Sequence, residues 1–244
     1  MAKLEFLPGF EPKRQTFIAF DLETWTLEEP YGISVAATME DKLAPRTWYE
    51  SLSEPAPLSP RQAGFLVDYL KISHDRGYTT LTWNGLAFDY KVLAEVSGQW
   101  ETCAALALSH VDMMFQFFCA YGFRVGLNTV AHGLGLPGKD GHEDVSGEKA
   151  PEVWRGGTKQ DRVKVCQYCE DDVRTLLGIS KAAADQGHFR WTTKKGRLMT
   201  KPFGGKWKTV QECLQIPLPD TSWMDNPPTR ESMMDWTFKI REVK

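Results

Sequence analysis

One apolar run near the amino end most constrains the fold of this chain. Residues 16–25 form a β-prone stretch that ends in Asp21-Leu22-Glu23. Alternate residues of a strand point to the same face, so this pattern places two carboxylates side by side at a strand end. Like charges this close repel each other, which predicts a cation between them, and oxygen ligands favour Mg²⁺ or Mn²⁺. The alternative is an exposed strand end with two solvated acids, so the metal interpretation requires partners elsewhere in the chain.

Length and composition indicate a globular protein. The 244 residues suffice for a sizeable core, and 42% hydrophobic with 25% charged residues is ordinary for that class. The sequence has no apolar run of the roughly 20 residues that a membrane-spanning helix needs, and its first residues lack a signal-peptide pattern. Five cysteines without a disulfide-scaffold spacing indicate reduced thiols. We therefore expect a cytoplasmic protein that does not contact a membrane.

Hydrophobic periodicity and turn residues predict an α/β fold with a mixed sheet flanked by helices. Three strands come first, then a helix and a fourth strand, and mostly helices follow. Asp112 is expected to cap a helix after a break near residues 110–112. The predicted strands are 17–22, 32–39, 47–51 and 79–83. The predicted helices are 60–77, 87–96, 102–121 (broken), 127–134 and 159–184. Residues 1–15 are predicted to be a loose arm, and residues 137–157 a long surface loop.

The character of the chain changes near residue 187. Residues 185–244 hold 11 Lys and Arg against 7 Asp and Glu, a balance of +4, whereas the remainder holds 18 against 25, a balance of −7. We therefore divide the chain into a body, residues 1–186, and a carboxyl-terminal extension, residues 187–244. Alternation around Lys195-Gly196 predicts a β-hairpin at the start of the extension.

Two further positions supply the partners that Asp21 and Glu23 require. Asp89 follows a strand and the turn Asn84-Gly85, in the first turn of a helix, where the helix dipole favours a carboxylate. Tyr168 and Asp172 lie four residues apart on the long helix, hence on one face of it. Considered alone, Asp89 could simply be an acid that stabilises the first turn of its helix. Considered alone, Tyr168 could be a core residue beside an acidic surface patch.

Together and in this order, the strand-end Asp-x-Glu, the Asn-Gly-x-x-Phe-Asp and the helical Tyr-x-x-x-Asp resemble the three exonuclease motifs of the DEDD superfamily. These are ribonuclease H-like 3′–5′ exonucleases that include polymerase proofreading domains. The tyrosine matches the DEDDy branch, since Gln167 stands where the other branch has histidine. The resemblance spans about residues 16–184, and within the superfamily the chain is similar to uncharacterised bacterial and phage members. It implies a ribonuclease H-like fold for the body.

The resemblance also implies an activity: metal-dependent 3′–5′ hydrolysis of single-stranded DNA or RNA to nucleoside 5′-monophosphates, with two divalent cations, Mg²⁺ or Mn²⁺. Carried over by motif, Asp21 would bridge both ions, Glu23 and Asp172 would complete the shell of one, and Asp89 would hold the other. Tyr168 would orient the attacking water. Because an unperturbed phenol has a pKa of about 10, we favour a tyrosine that positions the attacking water over one that removes its proton.

The residues beside these acids are predicted to contact the 3′ end of a single strand. Phe88 is the best stacking candidate because it immediately precedes Asp89, and core packing is the alternative for the apolar members of the set. In the extension, basic residues interleaved with aromatic ones predict a grip on nucleic acid. The predicted substrate contacts are Leu22, Thr24, Trp25, Asn84 and Phe88 in the body, and Lys194, Lys195 and Arg197 in the extension.

Several alternatives stay open. The body could be a catalytically silent ribonuclease H-like module that binds nucleic acid or a protein partner, or an endonuclease that uses the same site. The extension could bind nucleic acid, a partner that the sequence does not identify, or only the body. His110-Val-Asp112 resembles a segment between the second and third motifs whose aspartate is usually structural or supports the metal ligands, with a direct catalytic role as the alternative. Cys166 and Cys169 are expected to be core or boundary residues of the long helix, with zinc binding or redox chemistry as the alternative.

Overall fold

The computed structural model describes residues 15–138, 141, 144–193 and 195–239. Almost all of the predicted amino-terminal arm and the predicted substrate contact Lys194 lie outside the described residues. Among the residues that are described, each helix is either too short or too polar to cross a bilayer.

A mixed five-stranded sheet lies at the centre of the body, which confirms the predicted fold class. Its spatial order is β3-β2-β1-β4-β5, with β1 antiparallel to β2 and parallel to β4. As the middle strand, β1 is covered on both faces, so Phe20 and Leu22 pack into one core cluster and Ala19 into the other. The strands are β1 (Thr16–Thr24), β2 (Ile33–Glu40), β3 (Arg46–Trp48), β4 (Tyr78–Thr82) and β5 (Val111–Asp112).

Helices cover the two faces of this sheet. The first three pack with one core cluster, whereas the long seventh helix crosses β1 and β2 on the other face. The helices are α1 (Pro60–Asp75), α2 (Asp89–Ser97), α3 (Trp100–Ser109), α4 (Met113–Tyr121), α5 (Leu127–Gly133), α6 (Ala150–Gly156), α7 (Lys159–Gln186), α8 (Val210–Cys213), α9 (Glu231–Met234) and α10 (Trp236–Lys239).

The predicted break after α3 is confirmed, because Asp112 caps α4 by accepting the Phe115 N–H. The segment before this cap forms the short strand β5, which hydrophobic periodicity did not reveal. The prediction of a continuous loop over 137–157 is wrong, since α6 lies within it. That helix forms where Trp154 is fully buried and donates its indole N–H to the Ala56 carbonyl oxygen at 3.2 Å. Because the segment is rich in Gly and acidic residues, the sequence did not indicate that Trp154 is buried and fixes a helix.

The predicted hairpin is confirmed as β6 (His188–Thr192) paired antiparallel with β7 (Leu198–Pro202). It packs closely on α5: a Cβ added to Gly133 would lie 2.0 Å from the Arg190 carbonyl oxygen. The aromatic residues of this region do not face solvent as a nucleic-acid grip requires, because they fill the core cluster that includes α7. The buried aromatic residues are Phe189, Trp191, Phe203 and Trp207.

Candidate active site

The end of β1 and the middle of α7 bring three of the predicted metal ligands together. Asp21, Glu23 and Asp172 each offer an oxygen, and these atoms lie within 4.8 Å of one another. Asp21 is partly exposed, whereas Glu23 and Asp172 are only 6% and 2% exposed. Carboxylates so close in a buried place repel one another, and hard divalent cations prefer oxygen donors. The donor set therefore fits a hard divalent cation.

Asp89 joins this site through the backbone of β1. It is the first residue of α2, and its Oδ1 accepts the Leu22 N–H at 3.2 Å. Asp89 therefore lies against the middle of Asp21-Leu22-Glu23, although it is not one of the three residues whose oxygens lie within 4.8 Å of one another. Burial, and to a lesser degree the neighbouring charges of Asp112 and Asp172, raise the pKa of Asp89 to about 7, against the opposing effect of backbone hydrogen bonds.

Tyr168 lies on α7 one turn before Asp172 and is buried. A capping box fixes the start of that helix: the Thr158 side chain accepts the Asp161 N–H, and the Asp161 carboxylate accepts the Thr158 N–H. Arg162, also buried, donates to the backbone oxygens of Leu52, Ser53, Trp154 and Gly157 at 2.8–3.2 Å. These bonds tie α7 to the loop after β3 and to α6, so the helix that carries Tyr168 and Asp172 is fixed relative to β1.

The turn before Asp89 is shaped by Asp112. The Asp112 carboxylate accepts the N–H groups of Asn84 at 2.9 Å and Leu86 at 3.0 Å, in addition to its cap of α4. Asn84 has a φ of +70°, a left-handed conformation that a non-glycine residue rarely adopts without such support. Asp112 thus positions the segment that delivers Asp89 to β1, which agrees with the structural role expected for it.

Two contacts beside the acids were not predicted from the sequence. Cys169 is a buried core residue, as predicted, but its Sγ also lies 3.6 Å from the Asp21 carbonyl oxygen and 3.8 Å from Asp21 Oδ2. Arg155 on α6 places its guanidinium 6.0 Å from the centre of the Trp25 ring. A contact between elements distant in the chain leaves no periodic signal, so neither neighbour of the site was detectable from spacing.

The predicted substrate contacts differ in how accessible they are. Leu22 and Thr24 are buried, and Leu22 packs in a core cluster, so both side chains expose little surface. Trp25, Asn84 and Phe88 are half-buried beside the acids. In the extension, Lys195 and Arg197 are exposed near the hairpin turn.

Comparisons with known proteins agree with this architecture. The family model RNase_H_2, described as RNase_H superfamily, matches residues 18–184. Among solved structures, the family B DNA polymerase from the hyperthermophilic archaeon Pyrobaculum calidifontis is similar, with a TM-score of 0.56 and 19% sequence identity over 72% of this chain. The match covers 25% of that polymerase, so it bears on the fold alone. A search of curated proteins finds no match.

Proposed function

Because this chain belongs to the RNase H superfamily, we propose that it is a metal-dependent 3′–5′ exonuclease of the DEDDy type. Its substrate is single-stranded DNA or RNA, and its products are nucleoside 5′-monophosphates. The observation that carries the proposal is the approach of Asp21, Glu23 and Asp172 to within 4.8 Å of one another, on elements that also carry Tyr168. A nucleic-acid-binding module without catalytic activity would not need three repelling carboxylates in one partly buried place.

In this proposal each acid has a place around the bound cations. Asp21, Glu23 and Asp172 would hold a divalent cation together, and Asp89, against the Leu22 N–H, would complete the set of four metal-binding carboxylates. Bound Mg²⁺ or Mn²⁺ supplies charge stabilisation at the phosphate and a lowered pKa for water. The hydrogen bond from the Leu22 N–H to Asp89 fixes that carboxylate relative to β1.

Tyr168 serves as the group that orients the attacking water. Its phenol is buried one helical turn from Asp172, so it shares the face of α7 that carries the acid. A phenol hydroxyl can both donate and accept a hydrogen bond, as holding a water molecule in place requires. The hydroxyl is therefore assigned to positioning; the proton that the water loses passes to solvent, and the leaving 3′-oxygen takes one up, so the hydrolysis balances.

The substrate strand enters between half-buried aromatic residues. Phe88 and Trp25 flank the acids, and Phe88 makes an edge-on contact with Tyr31 at 5.7 Å that holds its ring in place. A fixed aromatic ring stacks on a terminal base at little entropic cost. Arg155, which lies over Trp25, adds a cation for the strand's phosphates.

The test is digestion of matched DNA and RNA strands carrying a 5′ label, with Mg²⁺ or Mn²⁺ and with a chelator as the control. A ladder that shortens from the 3′ end, and that disappears when the 3′ terminus is blocked, supports the proposal. Internal cuts that persist with the blocked strand would identify an endonuclease. Absence of cleavage with both metals, while binding persists, would identify a binding module and refute the enzyme assignment.

A further inference from the structure

A groove between α4, β7 and residues 219–223 forms a second candidate site. Its volume of about 410 Å³ lies in the range of about 300–1,000 Å³ that ligand sites occupy. Tyr121 and Phe123 form the wall at the end of α4, and Met199 and Lys201 form the wall on β7. The groove therefore joins the body to two separate parts of the extension.

Two contacts hold these walls in place. The Tyr121 hydroxyl donates to the Pro202 carbonyl oxygen at 2.6 Å, which ties the end of α4 to β7. Gly122 has a φ of +83°, and a Cβ there would lie 2.4 Å from Thr221 Cγ2. Glycine therefore permits the close approach of residues 219–223 to α4, and the groove is a built feature of the fold.

Aromatic rings give the groove its character. Trp223 is 65% exposed, although an indole is among the largest apolar surfaces that a protein can bury. Its ring lies 6.2 Å from that of Phe123, nearly perpendicular to it at 75°. Behind them, the buried Trp191 supports Phe123 at 5.8 Å. The arrangement presents a supported but uncovered ring face to a planar ligand.

One positive and one negative side chain, Lys201 and Asp220, line the groove, and the hairpin beside it is basic. Lys201 holds its Nζ 5.0 Å from the centre of the Tyr121 ring, at the wall of the groove. The hairpin segment 188–203 contains five Lys and Arg residues and no acidic residue. Asp220 is an acidic residue in the groove wall, and its carboxylate accepts the Ser222 N–H at 3.0 Å. An anionic chain with planar groups fits this surface, with its phosphates on the hairpin side.

The groove is connected to the acidic site through one loop. The Trp83 indole N–H donates to the Val125 carbonyl oxygen at 3.1 Å, and Phe123 of the groove lies two residues before Val125. Trp83 follows β4, and continuing the parallel register of Ala19 with Leu81 by two residues puts it at the level of Asp21. This loop is therefore the path assigned to a strand that has its 3′ end at the acids and extends to the groove.

We propose that this groove binds the single-stranded part of the substrate upstream of its 3′ end, with a base stacked on Trp223 and a phosphate on Lys201. The inference rests on the proposed function, because the groove is assigned to the substrate of that same site. Trp223 can stack on any base, and Lys201 contacts a phosphate that every nucleotide carries, so binding in this groove is independent of sequence.

The test compares a strand of about 16 nucleotides, near the upper end of site sizes for small single-strand-binding folds, with a trinucleotide. Affinity for the long strand is measured by fluorescence anisotropy with a chelator present, and cleavage of the trinucleotide is measured with Mn²⁺. Trp223→Ala should weaken long-strand binding about 5- to 150-fold, and Trp223→Phe should restore most of it. Trinucleotide cleavage should not change. Lys201→Gln should reduce the salt slope of long-strand binding by about 0.7.

The matched control is Phe65→Ala, which removes another exposed aromatic ring with a cation, Arg61, at 5.4 Å, on the outer face of α1. If Trp223→Ala behaves like Phe65→Ala on the long strand, the groove assignment is overturned while the nuclease assignment stands. If the wild type cleaves nothing but Trp223→Ala still weakens binding, the nuclease assignment falls and the groove stands. If the wild type binds no strand, the groove assignment is refuted and a peptide becomes the occupant to test, while cleavage of the trinucleotide decides the nuclease assignment separately.

Discussion

Replacement of Asp112 by alanine should lower both stability and activity, although Asp112 is not a proposed metal ligand. Its side chain is 1% exposed and accepts three backbone N–H groups, from Asn84, Leu86 and Phe115, at 2.9–3.0 Å. Alanine leaves all three donors without an acceptor. Two of them belong to the turn that delivers Asp89, so the proposed metal site is affected at a distance.

The magnitude follows from the number of donors left without acceptors. A buried donor without a partner costs about 1–3 kcal/mol of stability. Removing a buried carboxylate, whose pKa burial raises, offsets part of the cost of the three donors. We therefore expect Asp112→Ala to lower the free energy of unfolding by about 3–6 kcal/mol. Asp112→Asn keeps an oxygen for Asn84 and Phe115 but turns its NH₂ toward the Leu86 N–H, so its expected loss is about 1–3 kcal/mol.

Urea unfolding followed by tryptophan fluorescence measures the free energy of unfolding, and kcat on a labelled strand measures activity at a temperature where each variant is folded. Ser59→Ala is the control, because it removes the N-cap of α1, where Ser59 accepts the Gln62 N–H, without touching the turn. The control should lose about 0.5–2 kcal/mol and keep its kcat. An Asp112→Ala variant within about 1 kcal/mol of wild type, or one with full kcat, would refute the reasoning, since three buried donors cannot cost so little.

Three other outcomes are expected. Asp21→Ala should lower the cleavage rate by several orders of magnitude, whereas Tyr168→Phe should keep measurable activity; equal and complete loss with metal binding intact would make the tyrosine a general base. Gly133→Ala should lower the melting temperature more than Gly156→Ala does, because only the Cβ at 133 would meet a backbone oxygen of β6, at 2.0 Å. Burial lowers the pKa of His110 to about 3, so the unfolded chain binds an additional proton below about pH 6.5. Stability should therefore fall as the pH is lowered from about 6.5 toward 3, by a few kcal/mol from this group, and a His110→Gln variant should lose less stability in acid.

Local periodicity made part of the site predictable from sequence. The alternation along β1 places Asp21 and Glu23 on one side of a strand, and the spacing of four places Tyr168 and Asp172 on one side of a helix. Each of these relations lies within one element, where backbone geometry fixes the direction of every side chain. The approach of Asp172 to Asp21 joins residues far apart in the chain, and only the resemblance to a family predicted it.

The remaining features depend on tertiary contacts that no spacing encodes. Asp89 reaches β1 by accepting the Leu22 N–H, a bond that requires the actual packing of α2 on the sheet. The helix α6 owes its stability to the buried Trp154 and not to its Gly-rich surroundings. In the hairpin, alternation predicted two faces but not that Trp191 would face the body, because the body surface that covers it comes from other elements.

The extension and the turn before Asp89 meet at one residue, Leu86. The Leu86 N–H donates to Asp112 of the body, and the Leu86 carbonyl oxygen accepts the indole N–H of Trp236 in the extension at 2.7 Å. Nearby, the Val210 N–H donates to the His110 carbonyl oxygen, two residues before Asp112. Neither peptide group flanking Leu86 can rotate without breaking a buried hydrogen bond, so residues 87–89 begin from a fixed point. The extension therefore contributes to the geometry of the acidic site through packing, whether or not its basic hairpin touches the substrate.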